Sequence, residues 1–308
     1  MDAQTSAGRP ALLELSPRPA YGTAVPELGE ARQQSAEHGG LTEPPEFPLS
    51  PGWLPGLESV APLSPEDVWL QGALLGPFSA DIVAYLGLAR ATGGPVLDLG
   101  SGAGRLTVPF ARHGFRVEAV DRDRPSLVQL RAWAARFGPR VHRLVTTTHA
   151  DLTELRLTGS YRLAVLAGSM VTAIPPEARA HVFREVATHL GDGGALALDY
   201  TAHELPGLHD HPRRGRAFHV PRFDGVTERV RSRQEFCTSR MRETVTYDCE
   251  RSAPGHTHRV RLTTEKWIVD PARLEEDVRA AGLRVASVSR HRIDHRTRGV
   301  LLVCAPGA

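Results

Sequence analysis

Val96-Leu-Asp-Leu-Gly-Ser-Gly-Ala-Gly104 reads as a buried strand running into a glycine turn that opens a helix. Glycines at such a turn let a nucleotide-bearing ligand approach the backbone, because no side chain stands in the way. The spacing narrows the ligand. A dinucleotide fingerprint is G-x-G-x-x-G. Counted from Gly100, its last glycine falls on Arg105; counted from Gly102, it falls on Thr107. What stands here is D-x-G-x-G-x-G, with Asp98 two residues before Gly100, and Gly102 and Gly104 following. An acid at the end of this strand suits a cationic ligand and would repel a pyrophosphate. The alternative for Asp98 is a plain strand-end turn residue.

The same rhythm continues downstream. Arg105 to His113 forms an amphipathic pattern with Leu106, Val108, Phe110 and Ala111 apolar, closed by Gly114 as a helix C-cap. Arg116 to Val120 is the next expected strand and ends in Asp121, followed by Arg122. An acid at the tip of the second strand can accept both hydroxyls of a ribose; its alternative role is to cap the following helix. A helix over Pro125 to Phe137 and a strand over Val141 to Thr147 lead to Ala150-Asp151-Leu152, where a surface Asx turn would give the same sequence. A strand over Tyr161 to Ala167 ends in Gly168-Ser169-Met170. Pro175 to Leu190 carries Val182, Phe183, Val186 and Leu190 on one helical face. Gly191 to Gly194 ends that helix and Ala195 to Tyr200 is the fifth strand. Alternating strands and helices of this length give an α/β doubly wound, Rossmann-like sheet.

The rhythm breaks between about 203 and 270. Gly225 to Phe236, Met241 to Glu250 and Arg259 to Val269 show period-two patterning. Met241, Val245, Tyr247 and Cys249 share one face, interrupted by Glu243. Ser252 to Gly255 reads as a hairpin loop. An antiparallel insert after strand 5 is expected here. The doubly wound fold then resumes with a helix from Asp270 to Gly282 and two last strands, Val285 to Arg290 and Gly299 to Cys304, as an antiparallel hairpin completing a seven-stranded, mostly parallel sheet.

The glycine turn and the acids placed at successive strand ends resemble class I S-adenosylmethionine (SAM)-dependent methyltransferases, over about four-fifths of the chain from Ser64 on. The insert, followed by Lys266-Trp-Ile-Val-Asp-Pro-Ala-Arg-Leu274 and the helix beyond it, is similar to small-molecule amine N-methyltransferases. Ala167-Gly-Ser-Met-Val-Thr-Ala-Ile-Pro-Pro176 also resembles daptide-type methyltransferases, which N-methylate the terminal amine of a ribosomal peptide. The resemblance implies SAM as cofactor and S-adenosyl-L-homocysteine (SAH) as product. It implies that Asp98, Gly100 and Gly102 lie along the methionine moiety, that Asp121 holds the ribose, that Asp151 and Leu152 meet the adenine, and that Gly104 and Arg122 belong to the same cofactor site. It further implies that Gly168, Ser169 and Met170 border the methyl group, and that the antiparallel strands roof the acceptor. Substrate-side candidates are Asp199, Tyr200 and His203 at the end of strand 5, with Glu235 and Tyr247 in the insert. The acceptor is expected to be an amine of a small molecule or peptide natural product. A metal-assisted C- or O-methyltransferase and a non-catalytic SAM-binding subunit are the alternatives.

Composition bounds the rest. The chain has 308 residues, 41% of them hydrophobic, enough for a large core. A net charge of +2 gives no electrostatic case for nucleic acid. Lys266 is the only lysine, so Gly100 to Gly104 is not a P-loop. Cys237, Cys249 and Cys304 form no C-x-x-C pair, which argues against a zinc knuckle and a disulfide framework and suits a reducing, cytoplasmic setting. No signal peptide or membrane span is evident. His203, His209, His211 and His219 cluster, and His256/His258 and His291/His295 form pairs, but they match no metal motif of fixed spacing. They are read as surface or core histidines, with no metal. Residues 1–60 are proline-rich and read as a largely disordered segment. Residues 61–202 read as the SAM-binding core with cap helices, one of them starting at Ser64. Residues 203–269 are the roof insert and 270–308 complete the core. Oligomeric state is not legible.

Overall fold

The computed structural model describes residues 79–221, 227–253, 256–293 and 296–307. The proline-rich segment, the helix expected at Ser64 and the tip of the 252–255 hairpin loop lie outside them.

The central strands form because they are apolar along their whole length, as strands covered on both faces must be. β1 (Val96–Leu99) is buried at every position. β2 (Val117–Asp121), β3 (Val145–His149), β4 (Tyr161–Leu166) and β5 (Leu190–His203) run parallel to it. β10 (Leu283–Arg292) and β11 (Thr297–Pro306) add antiparallel strands, giving the order β10-β11-β5-β4-β1-β2-β3. Successive residues of β1 feed opposite faces. Leu97 and Leu99 pack with α5 (Pro176–His189) and α7 (Pro271–Ala280), through Val182, Phe183, Leu274 and Val278. Val96 packs with α1 (Ser79–Thr92), α2 (Thr107–Arg112) and α3 (Arg124–Arg136), through Tyr85, Val108 and Leu130. The sheet is therefore doubly wound.

Helix starts follow local chemistry. Asp123 caps α3 by accepting from the Ser126 N–H, and Asp270 caps α7 through the N–H groups of Ala272 and Arg273. Gly104 sits at φ +94°, and an added Cβ would lie 2.7 Å from Leu130 Cγ, so the last glycine of the turn is required both by conformation and by the packing of α3 beneath it.

Three expectations need correction. Val141 to Leu144 is not strand: Gly138 ends α3, Pro139 starts the short helix α4 (Pro139–Leu144), and β3 begins at Val145. The glycines 191–194 belong to β5, which starts directly after α5. The insert has four strands where the pattern predicted three. α6 (Leu205–Asp210) leads into β6 (Arg213–Pro221), which pairs with β7 (Thr227–Cys237), then β8 (Arg242–Ala253) and β9 (His256–Trp267), all antiparallel. β6 escaped notice because Arg213-Arg-Gly-Arg216 shows no alternation of apolar and polar residues.

Candidate functional site

In a parallel sheet every strand delivers its C-terminal end to the same edge, and ligands of such folds bind there. Here that edge gathers the glycine turn after β1, Asp121 at the end of β2, Asp151 beyond β3, Gly168 to Met170 beyond β4, and Thr201 and His203 at the end of β5.

Asp98 lies under the turn, not on it. It is 3% exposed, and its carboxylate accepts a 2.6 Å hydrogen bond from the Thr107 hydroxyl at the start of α2. A ligand crossing the turn meets backbone before it meets this carboxylate. Burial pushes the Asp98 carboxyl up to about 6, with the Thr107 hydroxyl and the Arg105 guanidinium pulling it back. The folded protein therefore holds this proton more tightly than the unfolded chain. Stability falls as pH rises between about 4 and about 6, and the whole penalty persists above that range. At about 1.36 kcal/mol per unit, it amounts to roughly 3 kcal/mol. Asp98→Asn keeps an oxygen for Thr107 and removes the charge. It is expected to stabilise the ligand-free protein by about 2–3 kcal/mol at neutral pH and by little below about pH 4. Denaturant melts at both pH values check this; an equal effect at both would contradict it.

Gly102 offers the approach. An added Cβ there would meet nothing within 4 Å, so the turn presents bare backbone to open space. Its N–H donates 2.7 Å to Asp121, whose other oxygen accepts from the Asp123 N–H at 2.8 Å. Asp121 thus anchors the turn while Asp123 caps the helix. Each carboxylate oxygen carries two lone pairs and can accept again. Arg122 is 78% exposed and lies 3.8 Å from Asp151. Asp151 forms the Asx turn: it accepts from the N–H and hydroxyl of Thr153, which hold its carboxyl below the usual range. Leu152 is buried in the core.

Asp199 is occupied by the protein itself. One oxygen accepts from the Tyr85 hydroxyl at 2.6 Å and the Gly168 N–H at 2.9 Å; the other accepts from the Ser169 N–H at 2.6 Å. It fixes the loop after β4, where Ser169 takes a left-handed φ of 59°, and ties that loop to α1. Met170 lies over Gly100. Tyr85 is buried, and burial together with Asp199 raises its hydroxyl pKa. Asp81, one turn earlier on α1, forms a two-pronged pair with Arg105 Nη1 at 2.7 Å. Asp81 and Tyr85 were not visible as site residues in the sequence, because their partners lie in other elements.

β5 alternates. Tyr200 points into the α5/α7 side of the core at 3% exposure, away from Asp199, and burial raises its pKa. His203 packs its ring 5.3 Å from Phe236 of β7 and lines a cavity of about 280 Å³ between the end of β5 and the insert. That cavity begins at Ser169 and Thr172 and is roofed by residues of β6 to β9, among them Tyr247, Glu243 and Trp267. Of the insert candidates, Tyr247 faces it; Glu235 is on the other face of the sheet, exposed and 3.9 Å from Arg213. Among the described residues, no group of three or more His, Cys, Asp or Glu side chains is placed to hold a metal ion, and no helix is long and apolar enough to cross a membrane.

A seven-stranded sheet of this order, glycine turn at its first strand and antiparallel hairpin at its edge, is the class I methyltransferase fold. Residues 96–194 match the family described as a methyltransferase domain. The cypemycin N-terminal methyltransferase of Streptomyces sp is 33% identical over 134 residues, 43% of this chain and 52% of that protein, so the match spans about half of its curated relative. Among solved structures, the CcbJ methyltransferase from Streptomyces caelestis superposes with a TM-score of 0.62 at 22% identity, over 76% of this chain and 92% of that one. SAM-bound CalS10 from Micromonospora echinaspora, an amino pentose methyltransferase involved in calicheamicin biosynthesis, superposes at 0.58 and 15% identity, over 80% and 99%.

Proposed function

We propose that this chain is a SAM-dependent methyltransferase that methylates an amine of a peptide or small-molecule natural product. The observation that carries the reading is a juxtaposition. The open glycine turn, anchored by Asp121, and the roofed cavity share the loop after β4: Met170 lies over Gly100 and the adjoining Ser169 lines the cavity. The likeness to the cypemycin N-terminal methyltransferase supports the amine, as does that to an amino pentose methyltransferase in fold.

The residues fit SAM. Gly102 leaves room for its backbone, Asp121 retains lone pairs for two ribose hydroxyls, and buried Asp98 places negative charge beneath a cationic ligand. Bound SAM supplies an electrophilic methyl group on a sulfonium. The protein's part is to align an acceptor behind that methyl and exclude water. Asp199 does the aligning at one remove, by fixing Gly168 and Ser169 where the cavity opens. The insert supplies the cover. An amine needs only to lose one proton before attack, whereas oxygen and carbon acceptors need a base or a metal.

The test is methyl incorporation from SAM into a panel of free-amine peptides and amino sugars, read by mass, with and without a chelator. Incorporation into an amine that survives the chelator supports the reading. Incorporation only with added divalent metal, or only into oxygen or carbon, would replace it.

A further inference from the structure

The apolar face of β8 is broken at Glu243. Residues two apart on a strand share a face, so Glu243 stands with Val245, Tyr247 and buried Cys249 on the side turned toward the cavity. It is only 8% exposed. Burying a carboxylate among apolar and aromatic groups is costly unless it is paired and hydrogen-bonded, and the roof invests one neighbour in holding it. Gln234, diagonally across on β7, donates from Nε2 to Glu243 Oε1 at 2.9 Å. The other oxygen accepts no hydrogen bond from the described residues. Lys266 lies opposite on β9 in register and also lines the cavity, yet the two make no ion pair within 4.0 Å. Glu243 is the only carboxylate among the described residues lining the cavity; Arg214, Arg216 and Lys266 supply positive charge.

We infer that Glu243, held by Gln234, is the binding site for the acceptor's amino group. This rests on the methyltransferase reading and names the group that recognises its substrate. A compact ammonium can pair with the Glu243 oxygen that Gln234 leaves open. The carboxylate also gives the departing proton an acceptor: the N–H bond breaks, its electron pair stays on nitrogen as the nucleophile, and the proton passes to Glu243 Oε2.

The experiment uses the full chain saturated with SAH, titrated with trialanine and with N-acetyl-trialanine, for wild type and Glu243→Gln. The variant keeps an oxygen for Gln234, so the roof hydrogen bond survives. Wild type is expected to bind trialanine at least tenfold more tightly than the acetylated peptide, and Glu243→Gln to lose that preference with SAH affinity unchanged. Equal binding of the two peptides by wild type, no binding of either, or a preference that persists in Glu243→Gln would overturn the assignment. Failure to bind SAH at all would instead strike the methyltransferase reading. A melting temperature and SAH affinity like wild type's separate loss of recognition from loss of fold.

Discussion

Asp121→Ala is expected to weaken SAH binding by about two orders of magnitude while leaving the fold in place. In the proposed SAM site, the carboxylate accepts both ribose hydroxyls. Hydrogen bonds to a charged acceptor contribute about 1.5–3 kcal/mol each, so losing two costs at least roughly 3 kcal/mol, or about 100-fold in Kd. The same side chain anchors the N–H groups of Gly102 and Asp123. Asp121 is only partly buried, so water can replace it at those donors and the structural cost stays small. Titration calorimetry with SAH, beside a thermal melt, separates the two effects. An unchanged affinity would remove the ribose from the tip of β2.

Asp199→Asn is expected to act through structure on rate. The carboxylate collects donors only: the Tyr85 hydroxyl and the N–H groups of Gly168 and Ser169. Asparagine offers one oxygen, and its NH₂ would face a donor. Leaving the buried Tyr85 hydroxyl unmet costs about 1–3 kcal/mol, a fall of several degrees in melting temperature for a domain of this size. The larger effect is on catalysis. A loop displaced by about 1 Å can lower the rate about 100-fold, and Ser169 stands where the cavity opens. Single-turnover methyl transfer with a saturating acceptor reads this directly. A variant that melts and turns over like wild type would show that Asp199 does not position the loop.

What was legible in the chain was local. The turn from Asp98 to Gly104 encodes its own conformation, so strand, turn and helix could be placed together, and the acid at the end of β2 followed from spacing. The cap and the anchor were harder to separate. Asp121 and Asp123 both precede the proline of α3, and only the structure shows Asp123 on Ser126 and Asp121 on Gly102. Asp199 was visible as an acid at a strand end, but its partner Tyr85 is 114 residues away. No local pattern carries that distance. β6 was missed because the cavity takes polar side chains from it: Arg214 and Arg216 face inward, so the alternation that marks a half-buried strand is absent. The interruption at Glu243 was visible; its meaning came only when β7 brought Gln234 diagonally across to bond it, with the cavity beneath.

The most direct measurement is calorimetric titration of the full chain with SAM and SAH, with NADH as control. Binding of both sulfur ligands in the micromolar range, with no heat from NADH, is the predicted result. Binding of NADH, or no binding of either sulfur ligand, would contradict a methyl-donor site at the Asp98–Gly104 turn.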